Sequence, residues 1–306
     1  MNLTGRVALV TGAGRGLGLA YATALAAAGA AVVVNDADDT AAKQAAETIT
    51  AAGGTAVAEP GAVGSTEVAE RLVDRAVTEF GRLDVLLTNA GILRDRVVWK
   101  MSDEEFDAVI DVHLRGTFTC ARAAVRHMRE RDGGGRLVLV GSPAGQRGNF
   151  GQTNYAAAKA GIAAMARTWS MECAKSGITV NAIIPVAATA MTATIPAFAP
   201  HVAAYDETGE PFPAWLRQAE GFGTAEDVAG LAVYLASAES AGVTGQCIGI
   251  GGDRIALWSH PQEVAVAFRE GGWAADDIAR AWPTTLGRSA QTVGIPAPQP
   301  PDGETP

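Results

Sequence analysis

The sequence predicts an α/β protein with a doubly wound, parallel sheet of about seven strands in one domain, followed by a C-terminal extension. Two observations carry that expectation. Short apolar runs alternate with helix-forming stretches along most of the chain, the pattern of strands joined by covering helices. A composition of 48% hydrophobic and 19% charged residues over 306 positions suits one large core or two small ones.

Val7-Ala-Leu-Val10 is the first strand and leads straight into Thr11-Gly-Ala-Gly-Arg-Gly-Leu-Gly18. An alanine-rich helix follows from Leu19 to about Ala28 and closes at Gly29. Strand, glycine loop and helix in that order make a phosphate cradle. Glycines let the backbone approach a pyrophosphate, and the helix N-terminus offers it free N–H groups. The architecture is therefore Rossmann-type, with Gly12, Arg15, Gly16, Leu17 and Gly18 as candidate cofactor contacts. The second strand, Ala31-Val-Val-Val34, ends in Asn35-Asp36. An acid there accepts hydrogen bonds from ribose hydroxyls and repels a 2′-phosphate, which favours NAD over NADP. Arg15 is a counter-signal because a guanidinium attracts such a phosphate, and Asp36 is also suited to beginning the turn that caps the next helix.

Thr40 to Ala52 reads as helix, Thr55 to Ala58 as a weak strand and Ser65 to Phe80 as helix with a Gly81 stop. Leu83 to Leu87 is the fourth strand, followed by Thr88-Asn-Ala-Gly91. Asn89, Ala90 and Gly91 are small residues at a strand's C-terminal end, where such sheets bind ligands. Ser102-Asp-Glu-Glu105 is a capping box opening a helix that runs to about Arg131 with a kink near Gly116. Arg136 to Val140 is the fifth strand, Thr179 to Ile184 the sixth and Gln246 to Ile250 the seventh. Between the last two, residues 187–222 are too long for a plain connection and read as a substrate lid. The domain then spans 1–252. The extension, 253–306, holds a short helix from Ala274 to Trp282 and a proline-rich tail from Pro296.

The chemistry concentrates between Ser142 and Lys159. Tyr155 and Lys159 are four apart in an alanine-rich helix, so phenol and ammonium share one face. A free tyrosine, with a pKa of about 10, is too weak a base at neutral pH, and a nearby cation is expected to lower it. Ser142 stands just past the fifth strand, where its hydroxyl faces the Tyr–Lys pair. Taken alone, such a pair also describes a surface lysine beside a half-buried tyrosine.

A net charge of −9 argues against nucleic acid or an anionic membrane as partner. Cys120, Cys173 and Cys247 are widely spaced, form no metal-ligand pattern and read as small buried hydrophobes in a reducing compartment. No signal peptide or membrane span is legible, so a cytoplasmic location without a metal cofactor is expected.

Together, the glycine loop, Thr88-Asn-Ala-Gly91, the Ser142/Tyr155/Lys159 spacing, and Pro185 and Thr189 after the sixth strand resemble the short-chain dehydrogenase/reductase family over residues 4 to 252. Val33-Val-Asn-Asp36, Asn89 to Arg96, Asp111-Val-His-Leu-Arg-Gly-Thr-Phe118 and Met191-Thr-Ala-Thr194 are similar to the dehydrogenase domain of peroxisomal multifunctional enzymes and their bacterial relatives, which oxidise (3R)-hydroxyacyl-CoA with NAD. The resemblance implies catalytic roles for Ser142, Tyr155 and Lys159. It also implies that Tyr155, Lys159 and Thr189 contact the cofactor, and that the protein is a homo-oligomer, dimer or tetramer. His113 stands where many members have a catalytic asparagine, with a relay role or a structural one. Gly61 and Val186 depart from the pattern at the adenine and nicotinamide sides. Arg94, Arg96 and Lys100 form a basic cluster suited to CoA phosphates or to a solvated face. Hydroxysteroid dehydrogenase and 3-oxoacyl reductase are the alternative enzymes, and a catalytically silent NAD(H) sensor the alternative of another class.

Overall fold

The computed structural model describes residues 1–131, 133–189, 192–195 and 197–296. Met191 and the tail after Pro296, both named from sequence, lie outside the described residues. The elements run β1 (Val7–Thr11), α1 (Gly16–Ala27), β2 (Ala31–Val34), α2 (Asp39–Ala51), β3 (Thr55–Ala58), α3 (Thr66–Phe80), β4 (Val85–Thr88), α4 (Asp103–Ile110), α5 (Gly116–Arg129) and β5 (Gly135–Val140). They continue with α6 (Pro143–Arg147), α7 (Thr153–Glu172), β6 (Ile178–Pro185), α8 (Ala199–Thr208), α9 (Ala225–Ala236), β7 (Cys247–Gly251), β8 (Arg254–Trp258) and α10 (Ala275–Ala281).

The strands form one sheet in the order β3-β2-β1-β4-β5-β6-β7-β8, parallel except for β8. Strand residues alternate between two cores, as the two-residue strand period requires. Ala8, Val10, Val32, Val34, Leu87 and Val138 belong to the core shared with α1 and α9, while Val7, Leu9, Val33, Leu86, Leu137 and Leu139 belong to the core shared with α3, α5 and α7. Both faces are therefore covered, which explains the unbroken apolar strand sequences. Chain direction across the sheet reverses between β1 and β4, opening a crevice above their C-terminal ends.

Eight strands, not seven, make the sheet among the described residues. The extra one, β8, folds back on β7 through Gly252–Asp253, with Gly251 opposite Arg254 and Cys247 opposite Trp258. In Arg-Ile-Ala-Leu-Trp the four residues from Ile255 are apolar, yet only Ala256 and Trp258 are partly buried, while Arg254, Ile255 and Leu257 are exposed. The first part of the sequence-defined extension therefore belongs to the sheet.

Two further differences matter for the site. The helix expected to kink near Gly116 instead contains a π-helical turn, Asp111–Arg115, between α4 and α5. A wide turn of this kind rotates one side chain out of helical register, and such turns often occur at functional sites. The long lid is not irregular throughout. It contains α8 and a second π-helical turn at Leu216–Glu220, around a small core of Val202, Phe212, Leu216 and Phe222.

Beyond β8 most side chains are exposed, including Phe268 at 91%. The chain then returns to α6, where the Gly294 N–H donates to the Arg147 carbonyl (2.8 Å) and Arg147 Nε donates to the Gly294 carbonyl (2.8 Å).

Candidate active site

The glycine loop crosses the crevice between β1 and β4 and is pinned from the β4 side. Thr11 Oγ1 accepts from the Asn89 and Ala90 N–H groups at 3.1 and 3.2 Å, and Asn89 Nδ2 donates to the Gly12 carbonyl at 2.9 Å. Gly12 has φ +61°, and a Cβ there would sit 2.6 Å from Ala90 Cα. A Cβ on Gly18 would run into the Gly12 carbonyl. These two glycines are thus demanded by backbone packing, whereas Gly16, at φ +56°, faces open space.

Helix α1 begins without a side-chain cap and without an acid in its first turn. By contrast, α2, α3, α4 and α9 are capped by Asp38, Ser65, Ser102 and Thr224. The uncapped N–H groups beside an open glycine suit a phosphate. At the end of β2 the Asp36 carboxylate accepts from the Gly14 N–H at 3.0 Å and the Asp38 N–H at 3.1 Å, which places it against the same loop. These residues fit a dinucleotide.

The second half of the site lies past β5. Ser142 caps α6, its Oγ accepting from the Ala144 N–H at 3.2 Å. Gly145 gives α6 room to pack on α7, because a Cβ there would approach the Ala160 nitrogen at 2.6 Å. That contact sets Ser142 beside the helix carrying Tyr155 and Lys159. Lys159 Nζ lies 5.6 Å from the Tyr155 ring centroid and donates to the Val140 carbonyl at 2.6 Å.

The electrostatics differ from the sequence-based expectation. Burial pushes the Tyr155 phenol above its ordinary pKa, with the hydrogen bond from Ser142 pulling it back and the Asp95 charge adding to the rise. Burial also lowers Lys159 from 10.5 to about 7. Lys159 is buried and Tyr155 half-buried, and at the phenol desolvation rather than the neighbouring ammonium sets the direction.

His113 projects from the π-helical turn into the same pocket, its ring edge-on to Tyr155 at 5.1 Å between centroids. Its Nε2 lies 2.8 Å from the Ile92 carbonyl and 3.0 Å from the Ile92 nitrogen, so it orients the backbone beyond β4. Burial, reinforced by the Lys159 charge, depresses its pKa to about 3, so the imidazole is neutral. Among the described residues Nδ1 has no partner. A Cβ on Gly91 would run into this ring, which accounts for the glycine.

One buried residue escaped the sequence reading. The Asn154 Nδ2 donates to the Arg94 and Glu105 carbonyls at 3.0 and 3.1 Å, and its Oδ1 accepts from the Tyr155 N–H at 2.7 Å. It ties the wall formed by the β4–α4 segment to the first turn of α7. An asparagine in an otherwise alanine-rich helix start was the available signal. Of the basic cluster, Arg96 is paired with Glu105 at 3.1 Å, while Arg94 and Lys100 are exposed. Thr189 is held in a turn by Thr192, whose Oγ1 accepts from the Thr189 N–H at 2.8 Å.

A switch-point crevice lined by a phosphate-type glycine loop, with Ser142, Tyr155 and Lys159 beside it, fits a nucleotide-dependent α/β oxidoreductase. The chain belongs to the short chain dehydrogenase family, whose model matches residues 6–199. Members generally use NAD(P), and the protein is an oxidoreductase acting on CH–OH groups.

Among individual proteins, the chain is 42% identical over 272 residues to the hydroxyacyl-CoA dehydrogenase ChsB1 of Mycobacterium tuberculosis, covering 85% of this chain and 81% of that protein. It is 45% identical over 211 residues to the peroxisomal hydratase-dehydrogenase-epimerase of Saccharomyces cerevisiae, covering 66% of this chain but only 23% of that protein. The chain thus spans about a quarter to just under half of the length of the peroxisomal relatives it matches. The crystal structure of a short chain dehydrogenase from Mycobacterium avium superposes with a TM-score of 0.82 at 36% identity, over 96% of this chain and 99% of that one. Among the described residues no helix is long and apolar enough to cross a membrane, and no cluster of side chains is arranged to hold a metal.

Proposed function

We propose that the protein oxidises the secondary alcohol of a (3R)-hydroxyacyl thioester, carried on coenzyme A, to the ketone with NAD. The observation carrying this reading is the convergence of Ser142, Tyr155 and Lys159 beside a glycine loop whose partner acid is Asp36. Gly12 to Gly18 would hold the pyrophosphate and Asp36 the adenosine ribose. Asn89, Ala90, Gly91 and Thr189 would border the nicotinamide side, with Lys159 at its ribose. Bound NAD would supply the acceptor for the carbinol hydride.

Ser142 donates to the substrate oxygen and steadies the negative charge that grows on it. Tyr155, as phenolate, takes the hydroxyl proton. A neutral Lys159 amine would take up the proton that the Tyr155 phenol gives up, and the ammonium so formed favours the phenolate that then accepts the substrate proton. Neutral His113 and Asn154 hold the walls that keep this face dry. The hydroxyacyl-CoA assignment draws support from the relative named a hydroxyacyl-CoA dehydrogenase.

A second reading, reduction of a 3-oxoacyl thioester by the same residues, is favoured by one observation. The chain is 40% identical over 256 residues to the 3-oxoacyl-[acyl-carrier-protein] reductase of Synechocystis, covering 98% of that protein. Absorbance at 340 nm with hydroxyacyl-CoA, 3-oxoacyl thioesters, hydroxysteroids and simple alcohols separates the readings. Tyr155→Phe should lower turnover about 10^2- to 10^4-fold with NAD binding nearly unchanged. Retained turnover would refute the assignment.

The same reading includes a homo-oligomer. It is supported by the apolar residues that the extension leaves uncovered, with Trp273 and Trp282 exposed at 40% and 50% and Phe268 more so. Light scattering of the intact protein tests this; a monomer at micromolar concentration would count against it.

A further inference from the structure

Among the described residues, an ionic clasp fastens the C-terminal end of the lid to the sheet. Arg217, in the π-helical turn at the lid's C-terminal end, donates through Nη1 and Nη2 to both oxygens of Asp227 at 2.9 and 3.2 Å. Its Nε and Nη2 also reach Asp253 Oδ1 at 2.9 and 2.6 Å, and its carbonyl accepts from the Asp253 N–H at 3.1 Å. Neither carboxylate is free to follow the lid. Asp227 completes the capping box of α9, accepting from the Thr224 N–H at 2.8 Å, and Asp253 lies in the turn joining β7 to β8. An isolated surface ion pair contributes little, but a planar fork shared by two carboxylates held by other elements fixes direction as well as distance.

Both ends of the lid converge on the same place. A Cβ on Gly251 would strike the Val186 and Gly221 carbonyls, and one on Gly252 would lie 2.7 Å from the Arg217 carbonyl. The lid's apolar core includes Leu216, one residue before the fork, and Phe222, which stacks on Phe198 at 4.2 Å. The core also takes in Val186, just past the end of β6, the strand next to the one that ends beside Ser142.

We propose that Arg217 is a positioning residue for substrate: its fork to Asp227 and Asp253 sets where the lid's apolar core stands over the cleft and so determines affinity for the acyl chain. This rests on the functional reading above. Arg217 does not touch the reacting atoms, so chemistry and cofactor binding stay as they are when the fork is lost.

The test compares wild type, Arg217→Ala, Arg217→Lys and Asp253→Asn with a short and a long (3R)-hydroxyacyl-CoA, together with hydrogen exchange across the chain. Arg217→Ala and Asp253→Asn should raise KM for the long substrate about tenfold, with kcat and the KM for NAD within about twofold. Arg217→Lys, which keeps the charge but not the fork, should recover part of that loss. Exchange should rise over residues 198–222 and stay unchanged over 6–35. Unchanged KM and exchange, or a KM for NAD that rises in step, would overturn the proposal. If Arg217→Ala fails to fold, Asp253→Asn decides, since it leaves Asp227 paired. If wild type turns over neither substrate, the functional reading falls first. In that case, unchanged exchange over 198–222 sinks the clasp as well, and increased exchange there upholds it.

Discussion

Replacing Lys159 by methionine should make the nucleotide-free protein more stable at neutral pH while removing its activity. Burial lowers the Lys159 pKa from 10.5 to about 7. The unfolded chain therefore holds this proton up to about pH 10.5, and the folded chain releases it near 7. Stability rises with pH wherever the unfolded state binds more protons, so the penalty is complete below pH 7 and fades towards 10.5. At pH 7 it costs about 4 kcal/mol, and at pH 9 about 2 kcal/mol. Methionine avoids it at every pH. Against that gain, the Val140 carbonyl loses the donor it has at 2.6 Å, which costs about 2 kcal/mol with little pH dependence. Lys159→Met should thus exceed wild type by about 2 kcal/mol at pH 7 and match it near pH 9. Urea denaturation followed by circular dichroism at both pH values measures the two differences. A variant no more stable than wild type at pH 7, or a gap that stays constant between the two, would refute the reasoning.

Asp36→Ala removes the charge expected to repel a 2′-phosphate. The preference for NAD over NADP should fall at least about tenfold, read from the two KM values, and an unchanged preference would exclude the role. Gly18→Ala drives a methyl into the Gly12 carbonyl. It should cost about 1–3 kcal/mol of stability and weaken NAD binding by calorimetry, and normal binding would mean that the loop tolerates side chains. Asn154→Ala leaves the Arg94 and Glu105 carbonyls and the Tyr155 N–H without their side-chain partner. It should lower stability by about 2–4 kcal/mol in thermal or urea melts and reduce kcat, whereas an unchanged kcat would limit Asn154 to a structural part.

Much of this was legible because it is local. Gly81 stops α3 in the left-handed region, Ser102 and Glu105 form both halves of their capping box, and the apolar strand runs show that both sheet faces are covered. The adjacency of Tyr155 and Lys159 follows from helical spacing alone. What failed depends on surroundings. The direction of the Tyr155 shift is set by enclosure, which the four-residue spacing does not encode. Strand β8 carries the apolar residues Ile255 to Trp258, but what makes it a strand is its antiparallel pairing with β7 across the Gly252–Asp253 turn, which the run itself does not encode. The π-helical turn at Asp111–Arg115 takes its shape where the His113 ring packs beneath Gly91 and meets Ile92, contacts made across 21 residues of sequence. Asn154 and Arg217 are ordinary letters in the sequence, and their importance comes from segments that the fold brings to them.

The hydroxyl that begins α6 has a built-in polarity. By receiving the Ala144 amide proton, Ser142 Oγ loses electron density on one side, and such chains of hydrogen bonds strengthen one another. Its own hydrogen becomes a better gift to any oxygen placed opposite. A tilt of the peptide at Pro143–Ala144, out of reach of the reacting bond, would therefore blunt the site through the grip of that single side chain.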